Sequence, residues 1–259
     1  MFCSIIGHPL KNPRSIKLWK IFFKKKKLKI DMFGVDVKKS KFKKTIKNFT
    51  KNQNFLASAI TMPYKKDIVK YVKINDKISS YANSINFILK KNNILYGYNT
   101  DVYGALESVK KINNKKNILI YGFGGTGEAI YRTFNKMFNK SKFIIVSSKK
   151  KIRLGKRTKH KKTIECKDLF STDLFINCSP LGSNLKKGFL KKTPLNVNQI
   201  KKMKKKSTIF DIIYNPTKTL LSKNCKKLNI KYINGKKMNT LQAKRALNII
   251  ESQIKKNND

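Results

Sequence analysis

At 259 residues and 40% hydrophobic content, the chain is long enough to bury a sizeable core and to form two domains. Its formal charge of +48 raises the question of nucleic acid, yet lysine is spread over the whole chain with asparagine and isoleucine, and arginine is confined to Arg14, Arg132, Arg153, Arg157 and Arg245. This reads as A/T-rich codon drift; with no aromatic ladder beside the lysine runs, no apolar stretch near the roughly 20 residues of a membrane span, no basic signal region at the start and no C-x-x-C pair, the expectation is a cytoplasmic protein without a zinc site, disulfide framework, membrane segment or specific nucleic-acid partner.

Alternating strands and helices follow in chain order. Residues 2–6 form an apolar strand ending at Gly7, 15–23 have helical spacing, 32–37 are a second strand and 42–49 a helix. Residues 55–60 are a further strand, 66–72 a helix, and 85–89 with 93–96 a hairpin, so the first sheet is mixed. A helix from Val102 leads to a loop at Asn113-Asn114. After it, Ile118-Leu119-Ile120-Tyr121 runs into Gly122-Phe123-Gly124-Gly125-Thr126-Gly127 and a helix start, Glu128-Ala129-Ile130-Tyr131. Strand, glycine turn and helix in that order suit a dinucleotide: the glycines let backbone approach a pyrophosphate, and the free N–H groups of the helix end favour its charge. A glycine turn made for packing alone is the competing reading. A second βα series ends near Asn239, and 241–254 form an amphipathic helix that returns to the first domain.

Because glycine and the acids are scarce, twelve and thirteen in the chain, their positions are informative. Nine of the twelve glycines fall either in the glycine turn or in a few further motifs: Gly7-His8-Pro9-Leu10-Lys11-Asn12-Pro13-Arg14-Ser15, Ala59-Ile60-Thr61-Met62-Pro63-Tyr64-Lys65, Asn83-Ser84-Ile85-Asn86, Gly97-Tyr98-Asn99-Thr100-Asp101-Val102-Tyr103-Gly104, Asn177-Cys178-Ser179-Pro180-Leu181-Gly182, Asp211-Ile212-Ile213-Tyr214-Asn215-Pro216-Thr217-Lys218-Thr219 and Asn234-Gly235-Lys236-Lys237-Met238-Asn239-Thr240-Leu241-Gln242-Ala243. With the glycine turn, these motifs resemble, in order, those of the shikimate dehydrogenase family.

The resemblance implies an α/β protein with a mixed-sheet substrate-binding and catalytic domain (1–101 and 239–259) and a Rossmann-type NADP domain (102–238). It implies NADPH-dependent, reversible reduction of 3-dehydroshikimate to shikimate, on the route to chorismate and the aromatic amino acids, by a monomer or homodimer. Lys65 and Asp101 are the implied catalytic residues. Ser15, Thr61, Asn86, Tyr214 and Gln242 are implied to bind substrate. Gly122, Gly124, Gly125, Thr126, Gly127, Ser147, Ser148, Lys149, Gly235 and Met238 are implied to bind cofactor, with no metal.

The residue chemistry agrees. Reducing a ketone needs a proton for the new alkoxide, which a fixed ammonium can deliver; composition cannot separate Lys65 from Lys66, whereas the family spacing after Thr61 and Pro63 selects Lys65. Asp101 suits orienting that ammonium, or capping the helix before Val102, or both. After the strand at 143–146, Ser147-Ser148-Lys149-Lys150 offers no acid to select NAD by its ribose, so hydroxyls and cations face a 2′-phosphate. The chain departs from the family pattern at Pro13, Ala59 and Asn83, and at Ser148, where the family has arginine. Lys11 and Arg14 are alternative partners for a substrate carboxylate next to Pro13. Two other readings stay open at this point: an NAD-using quinate/shikimate-type dehydrogenase, and a decayed cofactor- or nucleic-acid-binding protein that kept the fold.

Overall fold

The computed structural model describes residues 1–11, 13–150, 152–185 and 187–258. Asn12 of the opening motif and the side chain of Arg14 lie outside the described part. The chain divides into two compact units, Met1–Tyr103 with Gln242–Asp259, and Gly104–Leu241. Both divisions fall inside continuous helices, Thr100–Val109 and Gly235–Asn258, and so lie slightly further along the chain than the boundaries drawn from motifs.

In the first unit the elements are β1 (Phe2–Gly7), α1 (Arg14–Lys25), β2 (Asp31–Asp36), α2 (Lys39–Lys51), β3 (Phe55–Ile60), a 3₁₀ turn at Asp67–Tyr71, α3 (Lys77–Ala82), β4 (Phe87–Lys91), β5 (Ile94–Tyr98) and the start of α4 (Thr100–Val109). The five-stranded sheet has the order β2-β1-β3-β4-β5. Its first three strands are parallel, and β4 and β5 are antiparallel to their neighbours. Trp19 and Phe23 of α1 are one turn apart and bury one face of the sheet together with Leu247 and Ile250. Phe42 and Ile46 of α2, spaced by four, cover the other face with Tyr64 and Ile68. The β4–β5 hairpin closes on Asn92 and Asn93, at φ 45° and 60°. Two consecutive left-handed residues match the twist of such a hairpin, and asparagine adopts that conformation more readily than most residues.

The second unit contains β6 (Asn117–Tyr121), α5 (Gly125–Met137), β7 (Lys142–Val146), β8 (Thr158–Lys161), α6 (Cys166–Ser171), β9 (Leu174–Asn177), α7 (Val197–Lys201), β10 (Thr208–Asp211), α8 (Leu220–Lys227), β11 (Lys231–Asn234) and the start of α9 (Gly235–Asn258). Its six strands, in the order β11-β10-β9-β6-β7-β8, are all parallel. Their centres are unbroken apolar runs because both faces are covered: Leu119, Ile120, Phe175, Ile176, Ile209 and Phe210 are fully buried. Counted from β6, this is the doubly wound nucleotide-binding order, which reverses direction between β6 and β9. No helix stands between β7 and β8 among the described residues.

Three elements differ from expectation. The helix at 66–72 is only a 3₁₀ turn, because the chain is recruited at once into β5: Lys73 donates its N–H to Leu95 and accepts that of Gly97, at 2.8 and 2.9 Å. The short α3 was not expected. It is fixed by its ends, with Asp76 accepting the N–H of Ser79 at 2.9 Å and Asn83 leaving the helix in the left-handed region, φ 49°. The last helix begins before residue 241, at Gly235, where a Cβ would come within 2.3 Å of the Ile212 carbonyl oxygen. Asn234 starts it by accepting the N–H of Lys236 at 2.6 Å.

Candidate active site

The register of the first sheet gathers the early motifs at one edge. Ile6 pairs with Ile60, Gly7 with Asp36, Ala59 with Phe87 and Phe87 with Tyr98. The segments after β1, β2, β3 and β5, and the one before β4, therefore emerge side by side. Thr61 donates its N–H to Ile6 at 2.9 Å, and Tyr64 closes a turn on Thr61 at 3.0 Å. Tyr64 is fully buried, stacks on Phe42 at 4.1 Å and donates its hydroxyl to the Val37 carbonyl. Lys65 follows directly, its carbonyl accepting the N–H of Ile85 at 2.7 Å, so its backbone is held on both sides.

From that position the Lys65 ammonium donates to Asp101 Oδ2 at 2.7 Å, with side chains 29% and 22% exposed. The pair is thus shielded, yet open enough to meet a ligand. Lys66 is exposed and begins the 3₁₀ turn. Asp101 is in the first turn of α4, but Asn99 is the cap: its Oδ1 accepts the N–H of Val102 at 2.9 Å. This corrects the capping reading of Asp101 and leaves that carboxylate to the lysine. Asn99 is itself held by Ser84 and Ser79, its Nδ2 donating to the Ser84 carbonyl at 2.7 Å and its N–H to Ser79 Oγ at 2.7 Å.

Three further residues form a chain of hydrogen bonds beside the pair. Asn86 Nδ2 donates to Thr100 Oγ1 at 2.9 Å, the Thr100 N–H donates to Asn86 Oδ1 at 2.7 Å, and the Thr100 hydroxyl donates to Gln242 Oε1 at 3.1 Å. The sequence motifs point to Asn86 and Gln242 but not to Thr100, which joins them and sits in an intact motif beside Asp101. Thr61 packs on Gly7, where a Cβ would lie 2.4 Å from Thr61 Cγ2, and Ser15 stands in the first turn of α1. Among the departures, Asn83 keeps the left-handed geometry a glycine would adopt. Ala59 joins the core around Trp19 and Phe23, and Pro13, immediately before α1, brings neither an N–H nor a side-chain cap.

In the second unit the glycine turn divides by role. Gly122, at φ +95°, passes beneath Cys178 and Ser179, whose backbone a Cβ would approach to 2.7 Å; at Gly127 a Cβ would lie 2.3 Å from the Gly122 carbonyl oxygen. These two let α5 pack against the strands. Gly124 and Gly125 are different: both are exposed, and a Cβ on either would meet nothing within 4 Å. They, with Thr126, present the first-turn N–H groups of α5 at the point where strand order reverses, a cradle that fits a pyrophosphate. Beyond β7, Ser147 Oγ accepts the N–H of Lys149 at 3.2 Å, and Lys149 Nζ lies 5.6 Å from the centre of the Phe123 ring. Ser148, Lys149 and Lys150 are exposed.

The two late motifs meet at Asp211, fully buried at the end of β10. Its carboxylate accepts from Tyr232 at 2.9 Å, Asn177 at 3.0 Å, and Thr219 and the Ile213 N–H at 3.1 Å. Burial outweighs these four donors and holds its proton affinity above the ordinary carboxylate value. The loop so anchored carries Tyr214, which is 41% exposed. Met238 is buried on α9 and Gly235 lies under β10, so both also serve packing. No group of three His, Cys, Asp or Glu side chains among the described residues could hold a metal ion.

A doubly wound sheet with a glycine cradle at its switch point, combined with an α/β unit that carries a shielded lysine–aspartate pair, defines a nicotinamide-nucleotide dehydrogenase of the two-unit α/β class. Residues 5–88 match the family model of the shikimate dehydrogenase substrate binding domain. A Clostridium botulinum (strain Hall) shikimate dehydrogenase (NADP(+)) is 30% identical over 255 residues, covering 95% of each chain. That of Pelagibacter ubique is 30% identical over 248 residues, 93% of this chain and 90% of the relative. The chain belongs to the shikimate dehydrogenase family. Its fold is also that of the chorismate mutase/shikimate 5-dehydrogenase fusion protein of Clostridium acetobutylicum, with TM-score 0.82, 24% identity and coverage of 97% and 90%. The Thermus thermophilus shikimate 5-dehydrogenase in complex with NADP(H) and shikimate gives TM-score 0.76, 17% identity and coverage of 96% and 93%.

Proposed function

We propose that the chain is an NADP-dependent shikimate dehydrogenase that reversibly reduces 3-dehydroshikimate to shikimate. The observation that carries this reading is the 2.7 Å contact between Lys65 Nζ and Asp101 Oδ2 at the edge where the substrate motifs emerge. NADPH, when bound, supplies the hydride. Lys65 polarises the ketone oxygen of the substrate and delivers the proton that the new alkoxide requires; in the reverse direction it receives the hydroxyl proton. Asp101 holds the ammonium in place and accepts a hydrogen bond from a neighbouring substrate hydroxyl.

Asn86 and Gln242, linked through Thr100, are pre-ordered to bind the remaining hydroxyls, so little side-chain freedom is lost on binding. We assign Ser15, Thr61 and Tyr214 to the substrate as well, the carboxylate being held from the α1 side with one donor fewer than the family pattern because of Pro13. Gly124, Gly125 and Thr126 are assigned to the pyrophosphate. Ser147, Ser148 and Lys149 are assigned to the 2′-phosphate, where the cations favour NADP and the missing acid removes the ribose contact that selects NAD. Lysine is a point charge, so this clamp is less directional than one built on arginine.

The test is oxidation of shikimate followed by absorbance of the reduced cofactor, with NADP and then with NAD. Turnover with NADP at the higher kcat/KM is expected. Turnover with quinate and NAD in preference would replace the reading with that of a quinate/shikimate-type enzyme, and cofactor binding without turnover would make the chain a decayed relative.

A further inference from the structure

Outside the residues assigned above, one acid binds the opening motif. Asp36, at the end of the edge strand β2, lies 2.5 Å from His8 Nδ1 through Oδ1 and accepts the Leu10 N–H through Oδ2 at 2.8 Å. These contacts, and the backbone bonds of His8 N–H to Met62 at 3.0 Å and Val37 N–H to Gly7 at 3.1 Å, fasten the exit of β1 to the segments after β2 and β3. The His8 contact first, then the Leu10 N–H, holds the Asp36 carboxyl below its ordinary value. As an ionised carboxylate it only accepts, so His8 Nδ1 carries the proton.

Two residues before Asp36, β2 places Gly34. A Cβ there would lie 3.0 Å from Leu10 Cδ2 and 3.4 Å from Ile16 Cδ1. The strand thus receives residues on both sides of Pro13: Leu10 before it and Ile16, next to Ser15, after it. A side chain at 34 would press on Leu10 first, with Ile16 already at contact distance. Aspartate is uncommon here, with thirteen acids in the whole chain, and β2 contains no lysine.

We infer that the Asp36 carboxylate and the bare backbone of Gly34 form a clasp on β2 that sets the position of residues 8–10 and of Ile16, and of Ser15 beside it, making Asp36 a positioning residue for binding the substrate carboxylate. The inference rests on the proposed reaction. It gives this chain a means of fixing its carboxylate loop in spite of Pro13.

The experiment compares steady-state constants and calorimetric shikimate affinity for wild type, Asp36→Ala, Asp36→Asn, Gly34→Ala and His8→Ala. Asp36→Ala raises the KM and Kd for shikimate about tenfold, the usual effect of losing a charge-assisted hydrogen bond, with kcat and the KM for NADP unchanged. Asp36→Asn keeps an acceptor for the Leu10 N–H and recovers part of the loss. Gly34→Ala raises KM in the same manner. Glu251→Ala, which breaks the exposed pair with Lys26 in the same unit, is the control and leaves all constants unchanged.

An unchanged shikimate KM and Kd in folded Asp36→Ala overturns the clasp, as does an equal loss in kcat and NADP affinity, which would signal general damage. Should Asp36→Ala not fold, His8→Ala carries the test, since its side chain is 39% exposed: a severalfold rise in KM supports the clasp and no change overturns it. Wild-type turnover decides the parent reading separately, and calorimetry tests the clasp even without turnover.

Discussion

The two sheets present their sites by opposite means. At the edge of the mixed sheet the proposed site is made of side chains: Lys65 is bonded to Asp101, and Asn86, Thr100 and Gln242 form a second hydrogen-bonded group beside them. At the switch point of the parallel sheet the work falls to backbone, since Gly124 and Gly125 have no side chain to offer and open space around them. A side-chain site fails when one functional group is removed. A backbone site fails when an atom is added.

The sharpest break of that contrast is Lys65→Ala, which lowers turnover by about 10²–10⁴-fold, the range for a positioned acid/base group, and changes shikimate KM far less. Lys66→Ala stays near wild type. Equal kcat values for the two variants in the shikimate assay would remove Lys65 from the reaction.

On the backbone side, one methyl group discriminates between two glycines. Gly127→Ala forces a Cβ toward the Gly122 carbonyl and costs about 1–3 kcal/mol, seen as a lower urea midpoint. Gly125→Ala folds normally and loses NADP affinity in a fluorescence titration. Equal stability losses in both would mean that packing alone explains the motif.

Ser148→Asp sharpens the comparison at the cofactor arm. Its charge repels the 2′-phosphate, and the ratio of kcat/KM for NADP to that for NAD narrows or reverses. An unchanged ratio would put the phosphate elsewhere.

The smallest effect concerns Glu165 in the second unit. Hydrogen bonds from Lys161 first, then Lys167, bring its pKa from 4.5 down to about 2. A depressed carboxylate contributes stability that is complete above its ordinary value and lost as pH falls toward the folded one. Thermal midpoints of wild type and Glu165→Gln therefore converge as pH falls from 5 to about 2, and a constant gap would show that the ion pairs contribute nothing.

Much of this was legible in the residues, for reasons that differ from place to place. The strands of the parallel sheet stand out because burial on both faces requires unbroken apolar runs, and the glycine turn stands out because glycine is rare in a chain rich in lysine. Lys65 could be told from Lys66 only by motif spacing, since composition treats them alike. The short α3 was hidden because its stability lies in Asp76 and Asn83 at its ends and not in an apolar stripe. Asn99 took the capping role that Asp101 could have filled, a choice settled by Ser79 and Ser84 of another segment. Asp36 was invisible for a related reason: its partners His8 and Leu10 are 28 and 26 residues away.

The exposed stretch Ser148, Lys149 and Lys150 follows β7 with no helix built upon it among the described residues. Substitutions there disturb neither sheet nor core, so this corner tolerates change. A lysine gained there adds a cation where, on the proposed reading, the 2′-phosphate binds. At Asp101 the effect reverses, because replacing that acid with a lysine would set two ammonium groups against each other. The same change of residue is therefore harmless in one unit and, on the proposed reaction, disabling in the other.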